Sequence, residues 1–323
     1  MSEPVRCSVW VLMRPDDPGL PALEPLPPGV RAIVRASPEE FADEPPADVF
    51  LCAKTDGASV AKLLALAPGV RWIHSRWAGI DGLASPELLA SGVPVTNGRG
   101  AFARALAEWT IAGLLHFAKD LPRLERQRAE RLWQPYAPGQ LHGQSLGIVG
   151  FGGIGRATAR LARALGMRVI ALRRRPEAGA EPLADAVYGA DRLLDLFAEC
   201  DAVQLALPLT GATRHLVGAR ELRAMKPDAV LVNVGRGAVV DEPALVEGLR
   251  AGRPRAAALD VFETEPLPRE SPLWSLPNVL ISPHAADQVP GWLYEATLVF
   301  RQNLDRFLAG EPLENRADLE LGY

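Results

Sequence analysis

One stretch limits the choice of folds more than any other. Leu146-Gly147-Ile148-Val149 is a strand-forming run that leads into Gly150-Phe151-Gly152-Gly153-Ile154-Gly155-Arg156, and Arg156 to Leu165 is rich in Ala, Leu and Arg. Strand, glycine turn and helix therefore follow one another. The spacing has a physical meaning. Gly150 permits a tight turn, Gly152 lets a pyrophosphate approach the backbone, and Gly155 lets the helix pack on the strand. The helix start then offers N–H groups and the positive end of its dipole to phosphates. A bare G-x-G-x-x-G is weakly specific, but here the required strand and helix flank it. The segment predicts a dinucleotide-binding turn, with contacts from Gly150, Gly152, Gly153, Ile154, Gly155 and Arg156.

The end of the next strand selects the dinucleotide. An NAD site places an Asp or Glu about 20 residues on, where it accepts hydrogen bonds from the adenosine ribose. Val169-Ile170-Ala171-Leu172 runs instead into Arg173-Arg174-Arg175. A guanidinium there can pair with a 2′-phosphate, and the strand end carries no carboxylate to repel it. Arg173 and Arg174 thus predict NADP as the preferred cofactor, with NAD second; a solvated arginine run is the plainer alternative. Arginine is abundant in any case. Of the 35 basic residues only Lys54, Lys62, Lys119 and Lys226 are lysines, so composition is the default account of any single Arg.

Around this turn, short strand and helix patterns alternate. A first series has strands at 5–12, 31–34, 49–53, 70–74 and 93–96, with helical segments at 57–67 and 86–91. A long helix at 102–119 follows, then a charged arm at 121–131 and a Pro/Gly-rich segment at 135–139. The second series has strands at 146–150, 169–172, 202–207, 230–234, 256–261 and 279–282, and a last helix spans 292–308. Such alternation predicts an α/β fold of two Rossmann-like domains, parallel sheets flanked by helices. The 323 residues suit that number.

Composition excludes several classes. With 48% hydrophobic and 23% charged residues the chain is not disordered, and a net charge of −4 offers no broad positive field for nucleic acid. Cys7, Cys52 and Cys200 form neither a disulfide framework nor a C-x-x-C pair, and the five histidines include no H-E-x-x-H, so no metal site is expected. Met1-Ser2-Glu3-Pro4 lacks the basic start and apolar core of a signal peptide, and no apolar run approaches membrane-spanning length. A cytoplasmic protein without a membrane partner is expected.

Further motifs sharpen the reading. After the glycine turn and Leu207-Pro208-Leu209-Thr210 come VNVGRGAVVD at 232–241, LDVFETEP at 259–266 and SPHAA at 282–286. In this order they resemble the D-isomer-specific 2-hydroxyacid dehydrogenase family, over nearly the whole chain. The family includes glyoxylate/hydroxypyruvate reductases, and phosphoglycerate, D-lactate and formate dehydrogenases. The resemblance implies NAD(P)H-dependent reduction of a small 2-oxo acid to a D-2-hydroxy acid. Arg236 would bind the substrate, since a planar fork suits a carboxylate beside a carbonyl. His284 would give the proton as hydride arrives, because an imidazole exchanges protons near neutrality. Glu265 would hydrogen-bond His284 and hold its ring.

By the same resemblance Asp260 contacts the nicotinamide carboxamide, Leu207 and Pro208 lie along the adenosine, and Val234 and Ala286 border the cofactor. Thr213 stands beside that segment, and Glu263 reads as a solvated acid. Ser75-Arg76-Trp77-Ala78-Gly79-Ile80-Asp81 is similar to the loop whose amides bind the substrate carboxylate, with Ala78 and Gly79 as donors and Trp77 in place of a commoner small residue. Trp133 and Trp292 are candidates for the cleft or for ordinary packing. The implied domains are 103–286 for the dinucleotide and 1–102 plus 287–323, discontinuous and flavodoxin-like, for the substrate. A homodimer through 102–131 is implied as well. The fold also serves corepressors that bind dinucleotide without turnover; the complete Arg236, Glu265 and His284 set counts against that alternative. Formate dehydrogenases are disfavoured because they resemble one another in a Gln where Glu265 stands.

Overall fold

Central strands buried along their whole length set the architecture, as expected of parallel sheets covered on both faces. The computed structural model describes residues 5–54, 56–176, 181–319 and 321–322. The chain divides into two compact units, Met1–Phe102 with Val289–Tyr323, and Ala103–Gln288. No helix of the described residues is long and apolar enough to cross a membrane.

The first unit is a five-stranded parallel sheet. Its strands are β1 (Cys7–Leu12), β2 (Val30–Arg35), β3 (Val49–Cys52), β4 (Trp72–Ser75) and β5 (Val95–Asn97), in the order β2-β1-β3-β4-β5. The pattern of 5–12 places the first strand too early, because Val5 is 59% exposed, outside the layers that bury Cys7 onward. Two helices of this unit are α1 (Gly57–Leu66), capped by the Asp56 carboxylate on Ser59 N–H, and α2 (Pro86–Ser91), capped by Ser85 on Leu88 N–H. Alternate residues of β1 serve two cores. Trp10 stacks on Phe41 and Phe50 at 4.6 and 5.6 Å on one face. On the other face Val9 and Val11 join Trp72, which stacks at 5.1 Å on Phe300 of the returning C-terminal helix, Trp292–Ala309. Each such aromatic pair adds about 0.5–1.5 kcal/mol beyond the area it buries.

The second unit has seven parallel strands. They are β6 (Ser145–Val149), β7 (Arg168–Leu172), β8 (Ala186–Tyr188), β9 (Ala202–Leu205), β10 (Val230–Asn233), β11 (Ala256–Leu259) and β12 (Val279–Ile281). The order β12-β11-β10-β9-β6-β7-β8 reverses direction between β6 and β9, the place where such sheets open a crevice beyond the strands' carboxyl ends. The helices are α3 (Ala103–Ala118), α4 (Leu121–Glu130), α5 (Gly153–Ala164), α6 (Leu193–Glu199), α7 (Ala219–Ala224) and α8 (Glu242–Arg250), so that the C-terminal helix is α9. Gln204 of β9 fastens two of them: its Nε2 donates to Thr110 Oγ1 of α3 and Thr158 Oγ1 of α5, both at 3.0 Å. The strand pattern does not anticipate β8, whose residues are Ala186, Val187 and Tyr188. The strands expected at 202–207, 230–234 and 256–261 end earlier. Ala206, Val234 and Asp260 still donate to the neighbouring strand, and the chain then leaves the sheet as the loops that carry the site.

Candidate active site

The glycine turn joins β6 to α5. Gly150 has φ +99°, and a Cβ there would meet the Ala206 carbonyl oxygen at 2.6 Å, so a side chain is excluded on both counts. A Cβ on Gly155 would strike the Gly150 carbonyl oxygen at 2.6 Å, which is the close helix–strand packing predicted for it. At Gly152 a Cβ would meet nothing within 4 Å. Gly152 is also the N-cap of α5 and supplies no side-chain cap, unlike Asp56, Ser85, Asp120 and Asp241 on other helices. Open space before uncapped amides fits a pyrophosphate, with Gly153 and Ile154 in the first turn. Leu207 lies against the turn, its Cδ2 3.0 Å from the Cβ position of Gly150. Pro208 follows, and Thr213 Oγ1 donates to its carbonyl at 2.7 Å while accepting from Thr210 N–H at 2.8 Å. Thr213 thus shapes this loop from inside.

The strand end expected to carry no acid is corrected by the fold. β7 does lead into Arg173, with Arg174 exposed beyond it. Yet Glu181, distant in sequence, brings its carboxylate 2.5 Å from Arg156 Nη2 and 3.8 Å from Arg173 Nη1. Only the three-dimensional path after β7 reveals this.

The other loops of the same edge hold the acid–base groups. Arg236 follows β10, its turn closed by buried Asn233, which accepts from Gly235 N–H at 3.1 Å and donates to the Arg236 carbonyl at 3.0 Å. Val234 is buried in that turn. Gly237 comes so near the next loop that a Cβ would lie 1.8 Å from the Phe262 carbonyl carbon. No other residue fits there, and the Arg236 turn is thereby seated on the loop that presents Glu265.

Glu265 is held at both oxygens: Oε1 accepts from Phe262 N–H at 2.9 Å and Oε2 lies 2.7 Å from His284 Nδ1. An ionised carboxylate only accepts, so Nδ1 carries the hydrogen and Nε2 is the atom left to exchange a proton. The His284 side chain is 44% exposed, and its backbone has φ +52°, a left-handed conformation uncommon outside glycine and concentrated at functional sites. Asp260 holds that conformation. Its Oδ1 accepts from Ser282 Oγ at 2.6 Å and from Ala285 and Ala286 N–H at 3.0 Å, and its carbonyl accepts from His284 N–H at 2.8 Å. Asp260, expected beside the nicotinamide, therefore also anchors the histidine loop, and the Ala286 amide is used within the protein.

Glu263 is not merely a solvated acid. Its Oε1 lies 2.7 Å from His215 Nε2 and 3.9 Å from Arg214. Asp287 was not singled out by any motif. Burial, and then repulsion from Asp260, raises its carboxyl above the usual range, while His284 and Arg236 oppose the rise. These four ionisable groups therefore sit within electrostatic reach of one another.

In the first unit, β4 leads into the Ser75–Asp81 loop. Ala78 and Gly79 N–H have no hydrogen-bond partner among the described residues. The loop around them is fixed: Asn97 Nδ2 donates to the Ala78 carbonyl at 2.9 Å, and buried Arg76 pairs with Asp17 at 2.7 Å. Trp77 donates from Nε1 to the Ala53 carbonyl at 2.6 Å, and its ring packs on Trp292 and Phe102 at 5.4 and 6.4 Å. Trp292 is thus a packing partner of Trp77. Trp133 is 97% exposed and belongs to no core of its unit.

Comparison with known proteins adds to this geometry. Residues 111–286 match the family model for the D-isomer specific 2-hydroxyacid dehydrogenase, NAD binding domain. A glyoxylate reductase of Aeropyrum pernix is 37% identical over 268 residues, covering 80% of this chain and 79% of that protein. A D-isomer specific 2-hydroxyacid dehydrogenase of Xanthobacter autotrophicus Py2, solved with NADPH and MES, is 31% identical with a TM-score of 0.83, covering 98% of this chain and 99% of that one. An NADPH-dependent glyoxylate/hydroxypyruvate reductase of Sinorhizobium meliloti, solved with NADP and sulfate, is 26% identical with a TM-score of 0.84, covering 98% and 100%.

Proposed function

The chain belongs to the D-isomer specific 2-hydroxyacid dehydrogenase family and is an NAD(P)H-dependent oxidoreductase of 2-oxo acids, and we propose that it is an NADPH-preferring reductase of glyoxylate, hydroxypyruvate or a larger 2-oxo acid. The observation that carries the reading is the His284 Nδ1–Glu265 Oε2 contact of 2.7 Å, at the same sheet edge as a glycine turn with an uncapped helix. Nicotinamide dinucleotide, when bound, supplies the hydride. The protein supplies the rest. Gly152, Gly153 and Ile154 hold the pyrophosphate, and Arg173, with Arg174 beside it, takes the ribose end. Arg236 binds the carboxylate and carbonyl oxygen of the substrate. His284 Nε2 gives its proton to the carbonyl oxygen as charge builds there, while Glu265 keeps the ring in one tautomer. In the reverse direction the neutral ring takes the proton back.

Within this reading Ala103–Gln288 is the cofactor unit and the other unit holds the substrate. The enzyme is a cytoplasmic homodimer joined through 102–131. Support comes from α4, which has no buried residue, and from Leu121, Leu124, Leu132 and Trp133, all exposed. A monomer in sedimentation at micromolar concentration would contradict the dimer. The activity is tested by kcat/KM for glyoxylate, hydroxypyruvate, pyruvate and phenylpyruvate, with NADPH and NADH side by side. Turnover of at least one, faster with NADPH, is expected; equal or better efficiency with NADH refutes the cofactor preference.

A further inference from the structure

Glu181 is a charge that neither the glycine turn nor the catalytic loops require. Its side chain is 4% exposed, and a buried carboxylate persists only where cations and hydrogen bonds balance it. The balance comes from two places. Arg156 lies in the first turn of α5, with Nη1 donating to the Phe151 carbonyl at 3.2 Å and Nη2 2.5 Å from Glu181 Oε2. Arg173 begins the loop after β7, and its Nη1 lies 3.8 Å from the same oxygen. That loop is tied to the glycine turn, since Gly150 N–H donates to the Leu172 carbonyl at 3.1 Å. Sheets of this kind place the adenosine ribose at this strand end. One oxygen of a buried acid thus joins the two guanidinium groups that flank the expected ribose position.

Two chemistries compete for such a pair of cations. A 2′-phosphate brings close to two negative charges and would take the guanidinium groups as its counter-ions. A ribose with a free 2′-hydroxyl brings a donor and needs an acceptor, which a carboxylate supplies. We propose that Glu181 is the residue that sets this enzyme's choice between the two dinucleotides. Its carboxylate stands in the counter-ion position of the 2′-phosphate, opposes NADPH and accepts from the ribose of NADH. The guanidinium groups of Arg156 and Arg173 pull the other way, and the enzyme's preference is the resultant. The inference rests on the reading that this sheet edge binds NAD(P), but not on which dinucleotide the unaltered enzyme prefers.

The test measures dissociation constants for NADPH and NADH by the fluorescence of the reduced nicotinamide, without any 2-oxo acid. Glu181→Gln keeps the volume and removes the charge. It should raise Kd(NADH)/Kd(NADPH) about tenfold over the unaltered enzyme, as expected for one nearby charge. Glu181→Asp keeps the charge and should leave the ratio within about twofold. Glu181→Ser, which admits water between the guanidinium groups, replaces the glutamine variant if that one does not fold. A ratio unchanged in the neutral variants, or moved toward NADH, overturns the role of Glu181. An unaltered enzyme that prefers NADH while Glu181→Gln swings toward NADPH supports Glu181 and refutes only the NADPH preference proposed from Arg173.

Discussion

The two sheets each carry a histidine near the carboxyl end of a strand, and the two could hardly be more different. His284 lies past β12 in a loop, is 44% exposed at its side chain and touches the Glu265 carboxylate. His74 lies within β4, is fully buried and touches the neutral hydroxyl of Thr96 at 2.7 Å. The same hydroxyl also accepts from Trp72 Nε1 at 2.8 Å, and Phe300 covers the ring at 5.5 Å. Burial without a counter-charge pushes His74 down to about 3, so it stays neutral in ordinary buffers. One imidazole has a carboxylate partner and an exposed ring; the other has neither and serves as a flat, half-polar core residue. The environment, not the residue type, makes the acid.

That contrast can be broken in order of effect. His284→Ala should lower kcat about 1000-fold with little change in NADPH affinity, as for loss of a general acid; stopped-flow and binding measurements separate the two. Glu265→Gln keeps the shape and removes the charge behind the ring, and kcat should fall about 100-fold. A drop confined to KM would show that Glu265 acts on substrate rather than through His284.

His74 makes the opposite prediction, on stability rather than rate. Its folded pKa is depressed, so the unfolded chain binds the proton first, and stability is lost as pH falls from about 6.5 toward about 3. At pH 4 this amounts to about 3 kcal/mol. His74→Leu should therefore flatten the acid limb of a denaturation series and leave kcat at neutral pH unchanged. A limb of unaltered slope would place the acid sensitivity elsewhere. The smallest effect belongs to Asp287. With its carboxyl raised by burial and by Asp260, the stability it contributes is present below the ordinary Asp range and lost as pH rises through the raised value. Asp287→Asn should raise Tm at pH 7 but not at pH 3; an equal rise at both values would point to packing instead.

What the chain reveals by its sequence depends on how local the chemistry is. Gly150 and Gly155 were readable because turn, pyrophosphate approach and helix packing all arise within a few residues. Arg236, Glu265 and His284 were readable as motifs, although their loops follow three different strands. The groups that hold them were not. Asn233 looks like a strand-end polar residue until its turn folds back onto it, and Asp260, expected beside the nicotinamide, gives no sign of anchoring the histidine loop. Glu181 lies beyond β7 at a separation that gives no periodic or spacing signal, and it changes the meaning of Arg173. The three-residue β8 is stabilised by pairing with β7 rather than by any pattern of its own. Trp77 was legible as a departure, but its ring contacts with Trp292 bring together residues from opposite ends of the first unit's sequence.

Product analysis shows whether this sheet edge reduces a 2-oxo acid. The purified enzyme is mixed with a limiting amount of NADPH and an excess of hydroxypyruvate or pyruvate, and the product is resolved by chiral chromatography. One D-2-hydroxy acid should form per NADPH oxidised, and none with His284→Ala on the same timescale. No hydroxy acid from any of the four 2-oxo acids, or equal yield from the alanine variant, would contradict that expectation.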